Sequence, residues 1–230
     1  MLLPARRPTL ARWRALSGTT FSLLRSLEYE RLAGLRLTGR VLDVGGGLRN
    51  DYTHLFELAG TLDSVNIDPT RRPSCLADLN RAWPLAASCY DGVISLNTLE
   101  HLVNDRLALA EMARILKPGG VAYLVVPFIY RVHGSPYDYH RHTAAAWIEM
   151  LVAAGFARSQ IQVEPLAFGR LASGFALVEF LWPPPARWLM KKAVMLAMVA
   201  REALRRGPVA EEMDVPLGYF ITAVKESRPG

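Results

Sequence analysis

Apolar residues recur along the chain in two patterns, short runs of buried character and longer stretches with helical spacing, and the two alternate. The short runs predict seven strands, at residues 40–44, 63–67, 74–77, 91–96, 121–126, 161–166 and 218–225. The longer stretches predict helices at residues 9–37 (one helix or two), 52–59, 105–116, 143–154 and 186–206. Strands that alternate with helices favour parallel pairing, so the pattern predicts an α/β fold, a mostly parallel sheet with helices on both faces.

Two of the predicted helices have clear end signals. Thr143 is a plausible N-cap for the helix at 143–154, and Gly155 follows its last turn. The run Lys117-Pro-Gly-Gly120 is a common stop signal and ends the helix at 105–116.

Charge is distributed unevenly along the 230 residues. The net charge is +6, and residues 1–40 account for all of it, with eight arginines against two glutamates. A uniformly basic nucleic-acid binder is therefore not expected, and the sequence divides into a basic helical segment at 1–39 and a domain at 40–230. Arginines interrupt every apolar run near the start, and no run approaches the roughly 20 residues of a membrane span, so we expect a cytoplasmic protein.

Residues 168–212, between the last two strands, form an apolar and basic insertion that does not fit the scaffold. On a helical wheel the segment 186–206 carries its basic residues on one half and its apolar residues on the other. This pattern is typical of a helix that lies on an anionic membrane surface, here the inner face of the membrane. The pattern also fits a helix packed on its own domain or on a second copy, and the oligomeric state stays open.

The first predicted strand runs into a glycine turn of the kind that binds a nucleotide cofactor. Asp43 precedes the turn, and an acid at the end of the second strand, Asp68, is suited to ribose hydroxyls. A nicotinamide site requires a third glycine where this chain has Asn50, and Asp43 would repel a pyrophosphate. S-adenosylmethionine carries a sulfonium and an ammonium group instead, so electrostatics favours it. The three glycines are Gly45, Gly46 and Gly47.

The order of these motifs resembles the class I S-adenosylmethionine-dependent methyltransferases, in particular the bacterial methyltransferase-domain group, from about residue 40 to 156. The matching segments are Val41-Leu-Asp-Val-Gly-Gly-Gly47, Asn66-Ile-Asp-Pro69, Ala77-Asp-Leu79, Tyr90-Asp-Gly-Val-Ile-Ser95, Leu99-Glu-His101 and Ile115-Leu-Lys-Pro-Gly-Gly120. The resemblance implies the seven-stranded Rossmann-like fold of that family. It also implies that the glycine turn and Asp43 hold the amino-acid end of the cofactor, and that Arg49 stands where relatives often have another glycine. It places Asp68 and Pro69 at the ribose, Asp78 and Leu79 at the adenine, and Asn97 in the pocket wall.

The segment 128–142 crowds aromatic, cationic and acidic side chains into the loop after the fifth strand. Methyl transfer needs mainly alignment, and an oxygen or nitrogen acceptor also needs a base. We expect His133, Asp138 and His140 as candidate bases, and His101, Tyr137, Tyr139 and Arg141 as residues that position the acceptor. A purely structural lid is the alternative for this loop. No metal is expected, because the spacing of His133, His140 and His142 matches no known cage.

The sequence thus predicts an enzyme that transfers a methyl group from S-adenosylmethionine to a small-molecule, glycan or lipid-linked acceptor. A non-catalytic cofactor-binding or scaffold protein of the same fold is the main alternative. A nicotinamide-dependent oxidoreductase is a third possibility, disfavoured by Asp43 and Asn50.

Overall fold

A computed structural model describes residues 1–47, 52–134, 136–204 and 215–227. Seven strands form one sheet in the order β3-β2-β1-β4-β5-β7-β6. The strands are β1 (Arg36–Val44), β2 (Glu57–Asn66), β3 (Cys75–Leu76), β4 (Tyr90–Leu96), β5 (Leu116–Pro127), β6 (Phe156–Leu166) and β7 (Gly218–Lys225). Strands β1 to β5 pair in parallel, and β7 runs antiparallel between β5 and β6. The predicted α/β fold with a mostly parallel seven-stranded sheet is confirmed.

Two layers of helices cover the sheet. The helices are α1 (Leu10–Ser17), α2 (Leu23–Leu32), α3 (Asp105–Ile115), α4 (Ala144–Ala154), α5 (Arg170–Val178) and α6 (Pro184–Leu204). Side chains of α3 and α4 form one buried apolar cluster with strand residues such as Leu42 and Val93. Side chains of α1, α2, α5 and α6 form the other with Val41 and Ile94. Neighbouring residues of one strand therefore point to opposite layers, as a strand buried on both faces requires.

The predicted ends of two helices are confirmed. The Thr143 side chain accepts a hydrogen bond from the Ala146 amide at the start of α4. Gly155, at φ 101°, closes α4 in the left-handed conformation that glycine adopts without strain. Helix α3 ends at Ile115, just before the predicted stop signal.

The helix predicted at 52–59 is wrong. Thr53–Leu55 forms a 3-10 turn, and β2 begins at Glu57. From there β2 pairs with β1 residue by residue, starting at Arg36 and Glu57. This first half of β2 is exposed and lacks apolar alternation, so its strand character comes from main-chain pairing, which the apolar pattern cannot reveal. Arg49 and Asn50 lie outside the described residues.

The insertion holds α5, a 3-10 turn (Glu179–Leu181) and α6. Helix α6 covers the predicted helix as far as residue 204, and residues 205–206 lie outside the described part of the chain. It packs on the domain through Lys191, Met195 and Met198. Among the described residues, no helix is both long enough and apolar enough to cross a membrane.

Candidate functional site

A cavity of about 730 Å³ opens where β1, β2 and β4 end. In an open parallel sheet this is the edge at which ligands bind, and the volume is in the range of small-molecule sites. The predicted cofactor residues that line it are Gly45, Asp68, Asp78, Leu79 and Asn97. The predicted acceptor residues that line it are His101, Tyr137 and Tyr139. The structure therefore brings these members of both predicted groups around one space, whereas His133, Asp138, His140 and Arg141 are not among the residues that line it.

The glycine turn after β1 is held by Asn66, the last residue of β2. The Asn66 side-chain amide donates hydrogen bonds to the carbonyls of Gly45 (2.7 Å) and Gly46 (3.1 Å). Gly45 has φ 84°, and a Cβ added there would lie 2.2 Å from the Thr98 Oγ1. A Cβ on Gly47 would lie 2.4 Å from the Arg71 carbonyl oxygen. The backbone approaches its surroundings so closely that only glycine fits, which is the cradle a bound cofactor requires.

Asp43 lies beneath this turn and is 1% exposed. Its carboxylate accepts a hydrogen bond from the Tyr52 hydroxyl at 2.7 Å and lies directly against Gly46. Burial and the neighbouring Asp43 raise the pKa of Tyr52, so its hydroxyl stays protonated and donates. Tyr52 itself lines the cavity. Asp43 therefore reaches the cavity through Tyr52, and its contact with the cofactor stays a prediction.

Asp68 follows β2, lines the same cavity and is half-exposed. Its Oδ1 accepts hydrogen bonds from the amide (2.8 Å) and hydroxyl (2.7 Å) of Thr70. These bonds lower the pKa of Asp68, so the carboxylate is charged at neutral pH. Oδ2 lies 3.9 Å from the Arg71 Nε, and its contact with a ribose hydroxyl stays a prediction. Pro69 starts the 3-10 turn behind it.

Asp78 and Leu79 form the wall farther along the chain. The Asp78 carboxylate accepts from the amide of Asn80 at 2.9 Å, which fixes the turn, and Leu79 is buried against the core. Asn97, immediately after β4, has φ 48°, a conformation that costs energy for a residue other than glycine. Such strain is concentrated at functional sites, and Asn97 lines the cavity.

The acceptor end of the cavity is a 3-10 turn (Leu99–His101) with the loop after β5 docked on it. The Tyr139 amide donates to the Glu100 carbonyl at 2.7 Å, and His101 Nδ1 lies 2.6 Å from the Tyr137 carbonyl oxygen. These bonds hold Tyr137 and Tyr139 at the mouth, where both rings are exposed and lie 5.9 Å apart. Ser135 of this loop lies outside the described residues.

Asp138 and Arg141 stabilise the loop from within. The Asp138 side chain is 2% exposed and forms an ion pair with both terminal nitrogens of Arg141. It also accepts from the His133 amide at 2.9 Å. Burial would raise the pKa of Asp138, but the bonds from Arg141 and His133 outweigh burial and lower it. The geometry therefore fits a positioning role for Asp138 and Arg141 better than direct contact with an acceptor.

His140 lies on the far side of the loop. Its Nε2 is 3.4 Å from the Val103 carbonyl oxygen, and its ring stacks on His142 at 5.1 Å. His142 Nε2 in turn lies 2.6 Å from the Asp105 carboxylate. None of these three side chains lines the cavity in the described part of the chain. The predicted catalytic role of His140 is left without a geometric basis, and it stays a prediction.

Several residues at or near the cavity were not among the predicted site residues, including Tyr52, Arg71, Arg25, Glu28 and Glu100. Arg25, from α2, lines the cavity, and its Nε lies 3.5 Å from Oε2 of the buried Glu28 carboxylate. Glu100 is 2% exposed, and burial raises its pKa to about 8. Burial likewise raises the pKa of Glu28. In the sequence, the Glu100-His101 pair was a signal that could have revealed Glu100. No local pattern marks Arg25, because α2 reaches the site only through tertiary packing.

Comparisons with known proteins agree with this geometry. A family model described as a methyltransferase domain matches residues 20–163, which is more than half of the chain. No curated protein matches the sequence. Among solved structures, a Haloferax volcanii methyltransferase in complex with the activator Trm112 is similar, with TM-score 0.56 and 17% identity over 96% of this chain and 95% of that one.

Two further structures show the same fold. Haemonchus contortus phosphoethanolamine N-methyltransferase 2 has TM-score 0.54 and 16% identity over 86% of this chain. The match covers 51% of that protein, so this chain spans about half its length. An S-adenosylmethionine-dependent methyltransferase from Mesorhizobium loti has TM-score 0.53 and 18% identity over 88% of this chain and all of that one. By its family match, its sheet order and its glycine cradle, the chain belongs to the methyltransferase-domain family, the class I S-adenosylmethionine-dependent methyltransferases.

Proposed function

We propose that this enzyme methylates a small-molecule, glycan or lipid-linked acceptor that enters over Tyr137 and Tyr139. The observation that carries the proposal is that one cavity is lined both by the carboxylates of Asp68 and Asp78 and by the exposed rings of Tyr137 and Tyr139. An exposed tyrosine pair offers a flat apolar surface with a polar edge, which suits an acceptor that carries both ring and hydroxyl groups.

We assign each cofactor residue to the part of the cofactor that its charge suits. Asp68 Oδ2 accepts from the ribose hydroxyls, while Asp78 and Leu79 meet the base. Arg25 and Arg71 are both cations on the cavity wall, and Arg71 lies beside Asp68 at 3.9 Å. We therefore assign Arg25 to the carboxylate of the methionine part, since guanidinium and carboxylate pair in a bidentate way. Asp43, with Gly46 and Gly47, supports the glycine turn on which that part rests.

Bound S-adenosylmethionine supplies an electrophilic methyl group on a sulfonium, and the protein supplies alignment and removal of the acceptor's proton. We assign the place where the acceptor loses its proton to the cluster of Glu100, His101 and His133 at the acceptor end. Its His101 ring lines the cavity, and the His133 ring contacts His101 at 5.0 Å. Asp138 and Arg141 act as positioning residues, because they hold the loop that carries His133.

Binding of the demethylated product, S-adenosylhomocysteine, tests the cofactor assignment by calorimetry. We expect the wild-type protein to bind this product and not NAD. Asp68→Asn keeps the Thr70 cap but loses the charge that strengthens the ribose hydrogen bonds. Exchanging a charged for a neutral acceptor lowers affinity by about 10-fold.

The matched control is Asp63→Asn, five positions earlier on β2. Asp63 accepts hydrogen bonds from Arg40 and Tyr90 and does not line the cavity. The Asp63→Asn variant should therefore bind S-adenosylhomocysteine with the wild-type affinity. Tight NAD binding without S-adenosylhomocysteine binding would contradict the proposed function. Transfer of a labelled methyl group to lipid or glycan extracts then separates an enzyme from a non-catalytic binding protein.

The insertion beside the acceptor loop has an unusual surface. Helix α6 turns Lys191, Met195 and Met198 toward the domain and leaves an apolar stripe exposed, with Leu189 at 62% and Leu204 at 82%. The sequence left open which half of this helix faces outward, and the structure turns the apolar half outward. Exposed members of the stripe are Leu189, Ala193, Leu196, Ala197, Ala200 and Leu204.

This stripe continues toward the acceptor end of the cavity. Leu181 and Trp182 are exposed at the turn before α6. The neighbouring Phe180 ring packs under Arg131 at 4.1 Å and against Tyr130 at 6.1 Å, and both belong to the loop after β5. At 100° per residue, Lys192 and Arg201 fall on opposite sides of the stripe. An apolar strip between cations fits an anionic membrane surface, which would bring the loop to lipid headgroups.

We expect the protein to float with anionic liposomes and less with neutral ones, and high salt to weaken the binding. Leu189→Ser with Leu196→Ser should reduce flotation by at least about 10-fold, because each buried leucine contributes about 1–2 kcal/mol. Leu76→Ser, at an exposed leucine of the edge strand β3, is the control and should float as wild type. A protein that never floats and sediments as a dimer, with the paired serine variant a monomer, would show that the stripe is a contact between two copies.

A further inference from the structure

Glu100, His101 and His133 place three ligand atoms at one point of the acceptor end. His101 Nε2 lies 3.6 Å and His133 Nε2 lies 3.9 Å from the same Glu100 oxygen, Oε1. All three ligand atoms lie within 4.8 Å of one another. The two histidines come from separate segments, the turn after β4 and the loop after β5, so the cluster joins them.

The second nitrogen of each histidine ring fixes its tautomer. His101 Nδ1 faces the Tyr137 carbonyl oxygen at 2.6 Å, and His133 Nδ1 faces the Arg131 carbonyl oxygen at 3.3 Å. Asp138 Oδ2 also lies 3.3 Å from His133 Nδ1. Carbonyl and carboxylate oxygens only accept, so both Nδ1 atoms carry the hydrogen. In the neutral rings both Nε2 atoms then present lone pairs.

These lone pairs point toward the Glu100 side chain. Among the residues that the structure describes, neither oxygen of Glu100 has a hydrogen-bond partner, although the side chain is buried. The distances of 3.6 and 3.9 Å are too long for hydrogen bonds from the rings. When Glu100 is ionised, acceptor thus faces acceptor in a buried place, which is unfavourable unless a proton or a metal cation lies between them.

We propose that Glu100, His101 and His133 bind a divalent transition-metal ion, and that the hydroxyl oxygen of the methyl acceptor coordinates to this ion. Only the second part of this proposal, coordination of the acceptor hydroxyl group to the ion, rests on the proposed function. Coordination to a cation lowers the pKa of a bound hydroxyl group, so its proton passes to water more readily. The acceptor class it implies is an alcohol or a sugar.

The donor set decides the kind of ion. Two imidazoles and one carboxylate suit Zn²⁺, Fe²⁺ and related ions, whereas Mg²⁺ and Ca²⁺ prefer oxygen ligands. Metal-binding histidines almost always donate their other N–H to a carbonyl or carboxylate, and both histidines here do so. The structure thus shows the supporting hydrogen bonds as well as the ligands.

A second group of three, Asp105, His140 and His142, lacks this feature. There His142 Nε2 lies 2.6 Å from the Asp105 carboxylate, a hydrogen-bond distance, so donor already meets acceptor. His140 Nε2 lies near a carbonyl oxygen rather than pointing a lone pair into the group. This contrast makes His140 a suitable control position.

The test is a calorimetric titration of chelator-treated protein with Zn²⁺, with Mg²⁺ as comparison. We expect one Zn²⁺ per chain and no detectable Mg²⁺ binding. Glu100→Gln and His133→Gln should each lower the Zn²⁺ affinity by at least about 10-fold, whereas His140→Gln should leave it unchanged. Co²⁺ added in place of Zn²⁺ should give visible absorption bands that are lost in His133→Gln.

Each sample is also titrated with S-adenosylhomocysteine and melted, so that a loss of folding is recognised. Absence of Zn²⁺ binding in a protein that binds S-adenosylhomocysteine overturns the metal site and leaves the cofactor assignment intact. Zn²⁺ binding that survives Glu100→Gln and His133→Gln but falls in His140→Gln also overturns it. Absence of S-adenosylhomocysteine binding counts against the proposed function instead, whatever the metal result.

Discussion

Gly45→Ala should lower the affinity for S-adenosylhomocysteine by at least about 30-fold. Gly45 holds φ 84°, and an added Cβ would meet three side-chain atoms of Thr98 at 2.2–2.9 Å. The left-handed conformation costs a residue with a Cβ about 1–2 kcal/mol, and the overlap adds about 1–3 kcal/mol unless the turn moves. Because Thr98 is anchored to the Val44 carbonyl, the turn is the part that gives way, and the cofactor rests on it. Calorimetry measures the loss.

Gly155→Ala separates the two causes. Gly155 has φ 101°, but an added Cβ would meet nothing within 4 Å, so this variant carries the backbone strain without the overlap. It lies at the end of α4, away from the cavity-lining residues, and should bind S-adenosylhomocysteine as wild type while melting at a lower temperature. Equal affinities in the two variants would show that the glycine turn does not hold the cofactor.

Lys191→Ala should lower the free energy of unfolding by about 3–5 kcal/mol, the second large effect. The Lys191 ammonium is buried and donates to the carbonyl oxygens of Thr19 at 2.7 Å and Phe21 at 2.9 Å. Its removal leaves two carbonyls unpaired, each at about 1–3 kcal/mol, and opens a cavity along the lost side chain. Lys192→Ala, one position on, loses a contact over the Trp188 ring and should cost less than about 1 kcal/mol.

Lys191 also predicts how stability depends on pH. Burial is the main cause that lowers the pKa of Lys191 to about 8. The charge of Arg187 adds to this lowering, and the Glu179 carboxylate offsets part of it. Unfolded lysine keeps its proton up to about pH 10, so above pH 8 the unfolded state binds more protons, and stability rises with pH. Urea unfolding at about pH 8 and pH 9.5 should show a gain of roughly 1–2 kcal/mol in wild type that is absent in Lys191→Met. A parallel gain in Lys191→Met would assign it to another group.

The elements that the sequence predicted well are those whose pattern is dictated by burial. Helix α4 has a capping threonine, a closing glycine and a buried apolar face, and each is a local property. The first half of β2 was missed because its residues are exposed, and only pairing with β1 makes them a strand. Parallel pairing is a property of two distant segments, which a window of a dozen residues does not contain.

The site shows the same division. Gly45 and Asp68 are adjacent to strand ends, so their residue types and order revealed them. Arg25 lines the cavity from α2, and no local pattern marks it. The helix α6 pattern showed that two faces differ, but it could not show which face the domain covers, because Lys191 finds its partners 170 residues earlier in the chain.

The position of β7 in the sheet has a consequence for how the chain is made. Strand β6 joins the sheet by pairing with β7, and β7, the last strand among the described residues, is inserted between β5 and β6. While the chain emerges from the ribosome, one edge of β6 can already pair with residues 1–3, which bridge to Val163. The other edge, which joins β6 to the sheet, has no partner until residues beyond 217 have followed it. Two apolar edges, on β5 and β6, wait unpaired through the synthesis of the whole insertion, and unpaired strand edges promote aggregation. The nascent chain is therefore most exposed to misassembly after its cofactor end has already formed.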